Sequence, residues 1–481
     1  MMLKMMPLDM SWFLLESKVV PVHGAFLYVF TPPEGAAPDY AKRLLRTMKR
    51  RAVGAPFNLR PQWKLGTLPH WEEVDVDLSQ HVFDTRLPAP GTNAQLLAAA
   101  AELSGPSLSW DKPLWRLHWI EGLEGGRFAF LFVAHHSQWD GISIFRLMGE
   151  MMSDSPQAKT FRAPWQGLST WVKQVAGSHE PKAQAERVSS VSKAAKLVKK
   201  TVGVATDLGK VFLQQGLQAG GGRRIALPLS APETRPERNG SSARTYGLAS
   251  IPVERVKALA KATETTFNDV MTAVVDAAYA RYLEKLGMAV TKPMVAMVPM
   301  AIKIPGAGNQ LSGALVPLGK PGAKPLERLA AVKASMGSAK AEIGSLDSAG
   351  AKLFAMINMG FAAAPDLIRV GERLPVTANM MISNPYGMPT TLYLNGSHLD
   401  YFVPFMGPSL GTRLMYGIYT YAENTYVSIT SLQSVVADVE RLSELVQASF
   451  DELEQAASAL SVKASKRATP ARKRSPKRSA T

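Results

Sequence analysis

At 481 residues the chain exceeds the about 250–300 residues at which a single core stops growing, so two domains of ordinary size are expected. With 46% hydrophobic and 20% charged residues it has the balance of a globular protein, and the absence of cysteine excludes disulfides, thiolate metal ligands and a cysteine nucleophile. The formal charge is +16, but half of that excess sits in the last nineteen residues, where eight Lys or Arg stand with no acid.

The N-terminal stretch reaches Asp9 before an apolar run can form and has no small-residue cleavage site, so no secretory signal is expected. Apolar runs such as 128–134 are far below the roughly 20 residues that span a bilayer. Such a chain meets a membrane by lying on it. Short strands then alternate with helices: a strand at 25–30, helices at 40–51 and 94–103, strands at 114–120 and 127–134, and a helix at 142–152. That mixture is an α/β organisation.

From 184 to 217 the character changes. Val188, Val191, Ala195, Val198, Val202, Ala205, Leu208 and Phe212 recur every three or four positions, one helical stripe, with Lys193, Lys196, Lys199 and Lys200 beside it. The segment reads either as a connecting helix packed on both domains or as a basic amphipathic helix in a membrane interface. A Pro-, Ser- and Arg-rich linker follows at 228–244. The second part shows helices at 253–263 and 268–286, a strand at 294–302, a helix at 324–343, strands at 378–383, 392–394, 412–420 and 425–431, and a last helix at 439–460.

These elements divide the chain into a first domain at 1–183, a helical connector and linker at 184–244, a second domain at 245–460 and a basic tail at 461–481. The tail has too few large apolar side chains to order itself. It attracts anionic lipid or polyphosphate at most, and with no reading element it implies no specific nucleic-acid partner.

The chemistry concentrates in 128–148, where an apolar strand runs into His135, His136, Ser137, Gln138, Trp139, Asp140 and Gly141 and then into an apolar-periodic helix. A neutral imidazole suits proton abstraction near neutral pH, and a strand end would aim it into a crevice. Asp140 can brace the turn, and Gly141 allows close backbone approach. Each residue also has a plainer reading: His135 and His136 as satisfied buried histidines, Asp140 as a helix N-cap, Gly141 as a turn residue.

Together these residues form HHxxxDG, which resembles the active-site motif of the chloramphenicol acetyltransferase-like acyltransferases. Further stretches resemble one branch of them, the bacterial wax ester synthase/diacylglycerol acyltransferases. They are PLDMSWFLLES at 7–17 with Pro21, Val22, His23 and Gly24 after it, Pro113, Leu114 and Trp115, Asn268 and Asp269, and Ser383, Asn384 and Pro385 with Gly387. The resemblance is collinear from 7 to 460.

It implies two chloramphenicol acetyltransferase-like domains, each a mixed sheet flanked by helices, with the active site in an interdomain tunnel. It also implies transfer of a long-chain acyl group from acyl-CoA to a fatty alcohol or a diacylglycerol, giving wax ester or triacylglycerol. His136 would be the general base, His135 would shape the pocket, Asp140 would hold the loop and Gly141 would leave room. Asn268 is the candidate polar partner of the reacting carbonyl, with a helix N-cap as its plainer reading. Asp269, Ser383 and Asn384 would shape the site, and Pro113, Leu114 and Trp115 would pack beside the substrate path.

No metal or cofactor is implied, acyl-CoA being a substrate. A cytoplasmic enzyme, peripheral on the inner face of the plasma membrane or on lipid inclusions, fits this reading. One departure stands out, since Arg116 follows the Pro-Leu-Trp segment where an acidic residue is associated with the family; it leaves the ion-pair partner of Asp140 open. Two rival readings are a condensation-type acyltransferase fed by a carrier-bound donor, for which no carrier module is visible, and a non-catalytic lipid-surface protein. The adjacent histidines lack HExxH spacing and no GxSxG occurs, so zinc and serine hydrolysis fit the sequence poorly.

Overall fold

The computed structural model describes residues 2–5, 9–10, 12–13, 16, 21–63, 68–139, 141–168, 226, 230–235, 243–288, 290–304, 308–345, 376–384, 387–407 and 412–468. The expected helix at 184–217, Asp140 and most of the basic tail lie outside the described residues.

In chain order the elements are β1 (Met2–Lys4), β2 (His23–Thr31), α1 (Tyr40–Lys49), β3 (Leu59–Gln62), β4 (His70–Glu73), β5 (Val82–Arg86), α2 (Asn93–Ser104), β6 (Trp115–Glu121), β7 (Phe128–His135) and α3 (Gly141–Met151). Then come β8 (Arg244–Pro252), α4 (Val253–Ala262), α5 (Phe267–Lys285), β9 (Val295–Ile304), β10 (Gly308–Pro317), α6 (Pro325–Ser345), β11 (Met380–Ser383), β12 (Tyr393–Leu394), β13 (Ser397–Phe405), β14 (Leu414–Tyr421), β15 (Asn424–Leu432) and α7 (Val439–Ala468).

Two six-stranded mixed sheets carry the fold, in the orders β12-β13-β2-β7-β6-β5 and β10-β9-β11-β14-β15-β8, with a small antiparallel sheet β1-β4-β3 beside the first. This is the α/β arrangement of mixed sheets and helices that the sequence predicts. Central strands such as β7 are buried along their whole length, which is why FAFLFVAH reads as a continuous apolar run and does not alternate. Helix α2 opens with a capping box in which Thr92 Oγ1 accepts the Gln95 N–H and Gln95 Oε1 accepts the Thr92 N–H.

Two boundaries differ from the sequence division. Residues 393–405 do not stay with the second domain, because β13 pairs antiparallel with β2 from His398 opposite Thr31 to Phe405 opposite Ala25. The reason is in the side chains. Phe402, Val403 and Phe405 are buried in the same core as β2 and β7, and Tyr28 packs on Phe402 with ring centres 4.7 Å apart. The outer edge of β13 is satisfied from the other sheet: Tyr421 Oη donates to the Leu399 carbonyl at 2.9 Å, Ser428 Oγ to that of Pro404 at 2.9 Å, and Tyr419 Oη to that of Phe402. The second difference is that α7 continues to Ala468, past the predicted start of the tail at 461, since Ala- and Lys-rich sequence favours helix.

Candidate active site

His135 closes β7, and both its neighbours in the sheet hold it there. Its N–H donates to the Leu114 carbonyl at 3.0 Å, and His23 of β2 lies opposite it in register. The next residue turns away: the His136 N–H donates to the Val22 carbonyl at 3.1 Å. His135 is fully buried, while His136 is partly exposed.

The two rings have different company. Ser137 N–H donates to His135 Nδ1 at 3.2 Å, and Ser137 Oγ lies 2.7 Å from the same nitrogen. With Nδ1 an acceptor, the ring proton belongs on Nε2, which faces Glu16 Oε2 at 3.7 Å, an ion-pair distance too long for a hydrogen bond. Burial pushes the Glu16 carboxyl up, but His135 and the Trp110 indole N–H, which donates to Oε2 at 2.9 Å, outweigh it and hold the carboxyl below its ordinary range. Phe13 stacks on His135 with ring centres 4.8 Å apart, and Trp12 stacks on His136 at 4.2 Å.

Beyond the histidines the turn is clamped. Gln138 Nε2 donates to the carbonyls of Pro56 and Leu59 at 3.2 and 3.1 Å, and Trp139 lies flat on Phe57 at 4.7 Å. Gly141 begins α3.

Under this turn the two halves of the chain meet. Arg244 at the start of β8 donates to the Pro21 carbonyl at 2.9 Å and more weakly to that of His23 at 3.4 Å. His23 Nε2 lies 2.6 Å from the Ser104 carbonyl, whose own hydroxyl is 2.7 Å from Tyr246 Oη. Burial, with the charge of Arg244 adding to it, pushes the His23 imidazole well below its ordinary value, so it stays neutral and donates from Nε2. Tyr246 in turn stacks on Phe405 with ring centres 3.9 Å apart. Arg116, the departure noted in the sequence, caps the end of α2 by donating to the carbonyls of Ser104 and Pro106 at 3.2 and 2.6 Å.

The remaining expected residues sort by their contacts. Leu114 and Trp115 are buried. Leu114 holds His135 through its carbonyl, and Trp115 donates from Nε1 to the Phe57 carbonyl at 2.8 Å, so this segment positions the strand end. Pro113 introduces that turn, its carbonyl accepting the Trp115 N–H at 2.9 Å.

Asn268 is not the N-cap of α5. Thr266 is, because its hydroxyl accepts the Asp269 N–H while Asp269 Oδ2 accepts the Thr266 N–H at 2.9 Å; that box occupies the Asp269 carboxylate. Asn384, just past β11, donates from Nδ2 to Asn268 Oδ1, and both line a cavity of about 390 Å³ with Phe267, Gly387 and Thr420. A Cβ on Gly387 would fall 1.6 Å from Thr420 Oγ1, so only glycine fits. Ser383 is the last residue of β11, opposite Gly417. The described contacts thus form two clusters, one around the histidine turn and one around Asn268 and Asn384. Trp12, Glu16, His23, Arg244 and Tyr246 were not singled out from the sequence, although Trp12, Glu16 and His23 lie inside stretches that carried the resemblance.

Among the described residues no three His, Asp or Glu side chains gather as a metal site, and no helix is long and apolar enough to cross a membrane. Two mixed sheets flanked by helices, with a histidine pair at the end of one strand, are the class of fold that the HHxxxDG resemblance implies. Residues 5–271 match the wax ester synthase/diacylglycerol acyltransferase catalytic domain, and residues 307–454 match the WS/DGAT C-terminal domain. A Mycobacterium tuberculosis protein named "Probable diacyglycerol O-acyltransferase Tgs4" is 33% identical over 488 residues, covering 98% of this chain and 100% of that one.

Two solved structures share the fold. The wax ester synthase/diacylglycerol acyltransferase from Marinobacter aquaeolei VT8 aligns over 95% of this chain and 100% of its own, with a TM-score of 0.72 and 24% identity. The first condensation domain of the CDA synthetase aligns over 95% and 97%, with a TM-score of 0.54 and 15% identity. The chain belongs to the wax ester synthase/diacylglycerol acyltransferase family and is an O-acyltransferase.

Proposed function

We propose that the protein joins a long-chain acyl group, delivered as acyl-CoA, to a fatty alcohol or a diacylglycerol, with His136 as the general base. The observation that carries the assignment is the contrast within the pair. His135 is fully buried, with Nδ1 engaged by Ser137, whereas the adjacent His136, stacked on Trp12, is partly exposed and so within reach of a substrate.

In the reaction an imidazole nitrogen of His136 takes the acceptor's hydroxyl proton as the oxygen attacks the thioester carbonyl. Collapse of the tetrahedral adduct breaks the carbon–sulfur bond, and the departing coenzyme A thiolate recovers the proton from the imidazolium. No acyl-enzyme forms. His135 and Glu16 act through position: an oriented ring and the carboxylate beside it fix the turn on which His136 sits. Asn268, whose Oδ1 accepts from Asn384, is the candidate donor to the developing oxyanion; one such donor is worth about 3–4 kcal/mol. Asp140 would hold the loop and Gly141 would leave room for substrate, as the HHxxxDG resemblance implies. A peripheral position on a lipid surface, with no metal or bound cofactor, completes the proposal.

The test is thiol release by the purified protein from palmitoyl-CoA with hexadecanol or a diacylglycerol, with products identified, beside His136→Ala. Ester formation lost in the variant supports the assignment, and the acceptor ratio names the product. Equal rates in the two proteins would defeat it.

A further inference from the structure

Six large apolar side chains are exposed among the described residues, among them Trp63 at 41% and Trp110 at 39%, which stack on each other, and Leu68 at 74% in the same β3–β4 connection as Trp63. The β3–β4 hairpin explains two. Its last pair is Gln62 opposite His70, so Trp63 and Leu68 flank the connection beyond it. Trp110 comes from the loop between α2 and β6 and stacks on Trp63 with ring centres 6.0 Å apart. Isolated exposed hydrophobics need no explanation, but two stacked exposed indoles, with a third exposed apolar side chain in the same hairpin connection, form a patch.

This patch is continuous with the histidine turn. Phe13 lies beneath it, edge-on to Trp63 at 5.4 Å and to Trp110 at 4.9 Å, and the same Phe13 ring stacks on His135 at 4.8 Å. Trp110 also reaches inward by donating to Glu16. An unbroken aromatic series therefore runs from solvent to the buried member of the histidine pair.

We infer that Trp63, Leu68 and Trp110 form the surface by which the protein seats on a phospholipid layer, with the acyl acceptor leaving that layer beside the histidine turn. Indole rings, apolar in body with one N–H, favour the headgroup level of a lipid layer. A seat of three side chains is too small for a second protein chain, which needs roughly 800 Å² per partner, whereas shallow insertion into lipid needs only a few apolar side chains. The inference rests on the acyl-transfer reading for its substrate and on the patch alone for its docking.

The test is the double variant Trp63→Ser with Leu68→Ser in the full chain, which leaves Phe13, Glu16, Trp110 and the histidines in place. Flotation with vesicles of phosphatidylcholine and phosphatidylglycerol should show vesicle affinity lower by about tenfold or more. Esterification of hexadecanol carried in those vesicles should fall with it, while thiol release from butanoyl-CoA with butanol, both water-soluble, should keep the wild-type rate. Unchanged vesicle binding overturns the inference, and so does an equal loss with the water-soluble pair. A changed oligomeric state with vesicle binding intact would assign the patch to a second copy of the chain and overturn it as well. A wild-type protein inactive with every acceptor, beside lost vesicle binding in the variant, would sink the acyl-transfer reading and leave the docking surface standing.

Discussion

The indole of Trp12 lies flat on the imidazole of His136, their centres 4.2 Å apart and their planes 8° from parallel. Aromatic stacking of this kind contributes about 0.5–1.5 kcal/mol beyond burial. Trp12→Leu should therefore lower kcat by roughly tenfold through misorientation of the base, Trp12→Phe should retain most of the rate, and His136→Ala should lose about 10²–10⁴-fold. Steady-state thiol release on the three variants checks the order.

Glu16 provides a charge beside His135, and Glu16→Gln removes the charge while keeping an acceptor for Trp110. The carboxyl is held below its ordinary value of 4.5, so its stabilisation is complete above that pH and is lost as pH falls through the lower folded value. The variant should be less stable than wild type by about 1–3 kcal/mol at neutral pH, with the gap closing on acidification. Guanidinium unfolding across pH reads both.

His118 is buried against Phe83, its ring nitrogens without a hydrogen-bond partner, and burial with the charge of Arg116 pushes it from 6.5 down to about 4. The unfolded chain takes up this proton below about 6.5 and the folded one only near 4, so stability is full above the first value and falls between the two. His118→Phe should add about 1–3 kcal/mol at neutral pH and flatten the acid decline. Melting at the two pH limits measures it.

Asn268 and Asn384 share a hydrogen bond across 116 residues of sequence. If they act as one device, a double-mutant cycle of the two alanine variants should show a coupling of about 0.5–3 kcal/mol in kcat. Additive losses would mean that Asn268 works alone.

The sequence carried the strongly periodic elements and the histidine turn, because an apolar strand running into two imidazoles is a local signal. What it hid was short, polar or interrupted. β3 and β4 read LRPQ and HWEE, and Pro404 argues against a strand interior until the hydroxyls of the opposite sheet are seen bonding that edge. The same limit applied to the site. Glu16 matters because of a ring 119 positions later, and Arg244 because of carbonyls more than 220 positions earlier, and no window along the chain holds such pairs.

β13 lends its backbone to one sheet while accepting hydroxyls from the other, and this sets the order in which the protein can be born. Until the ribosome has delivered Phe405, β2 carries an open edge beside the strand that presents the histidines. An unpaired apolar edge is a template for another nascent chain, so the long wait between residue 31 and residue 397 is the period in which this protein is most exposed to misassembly.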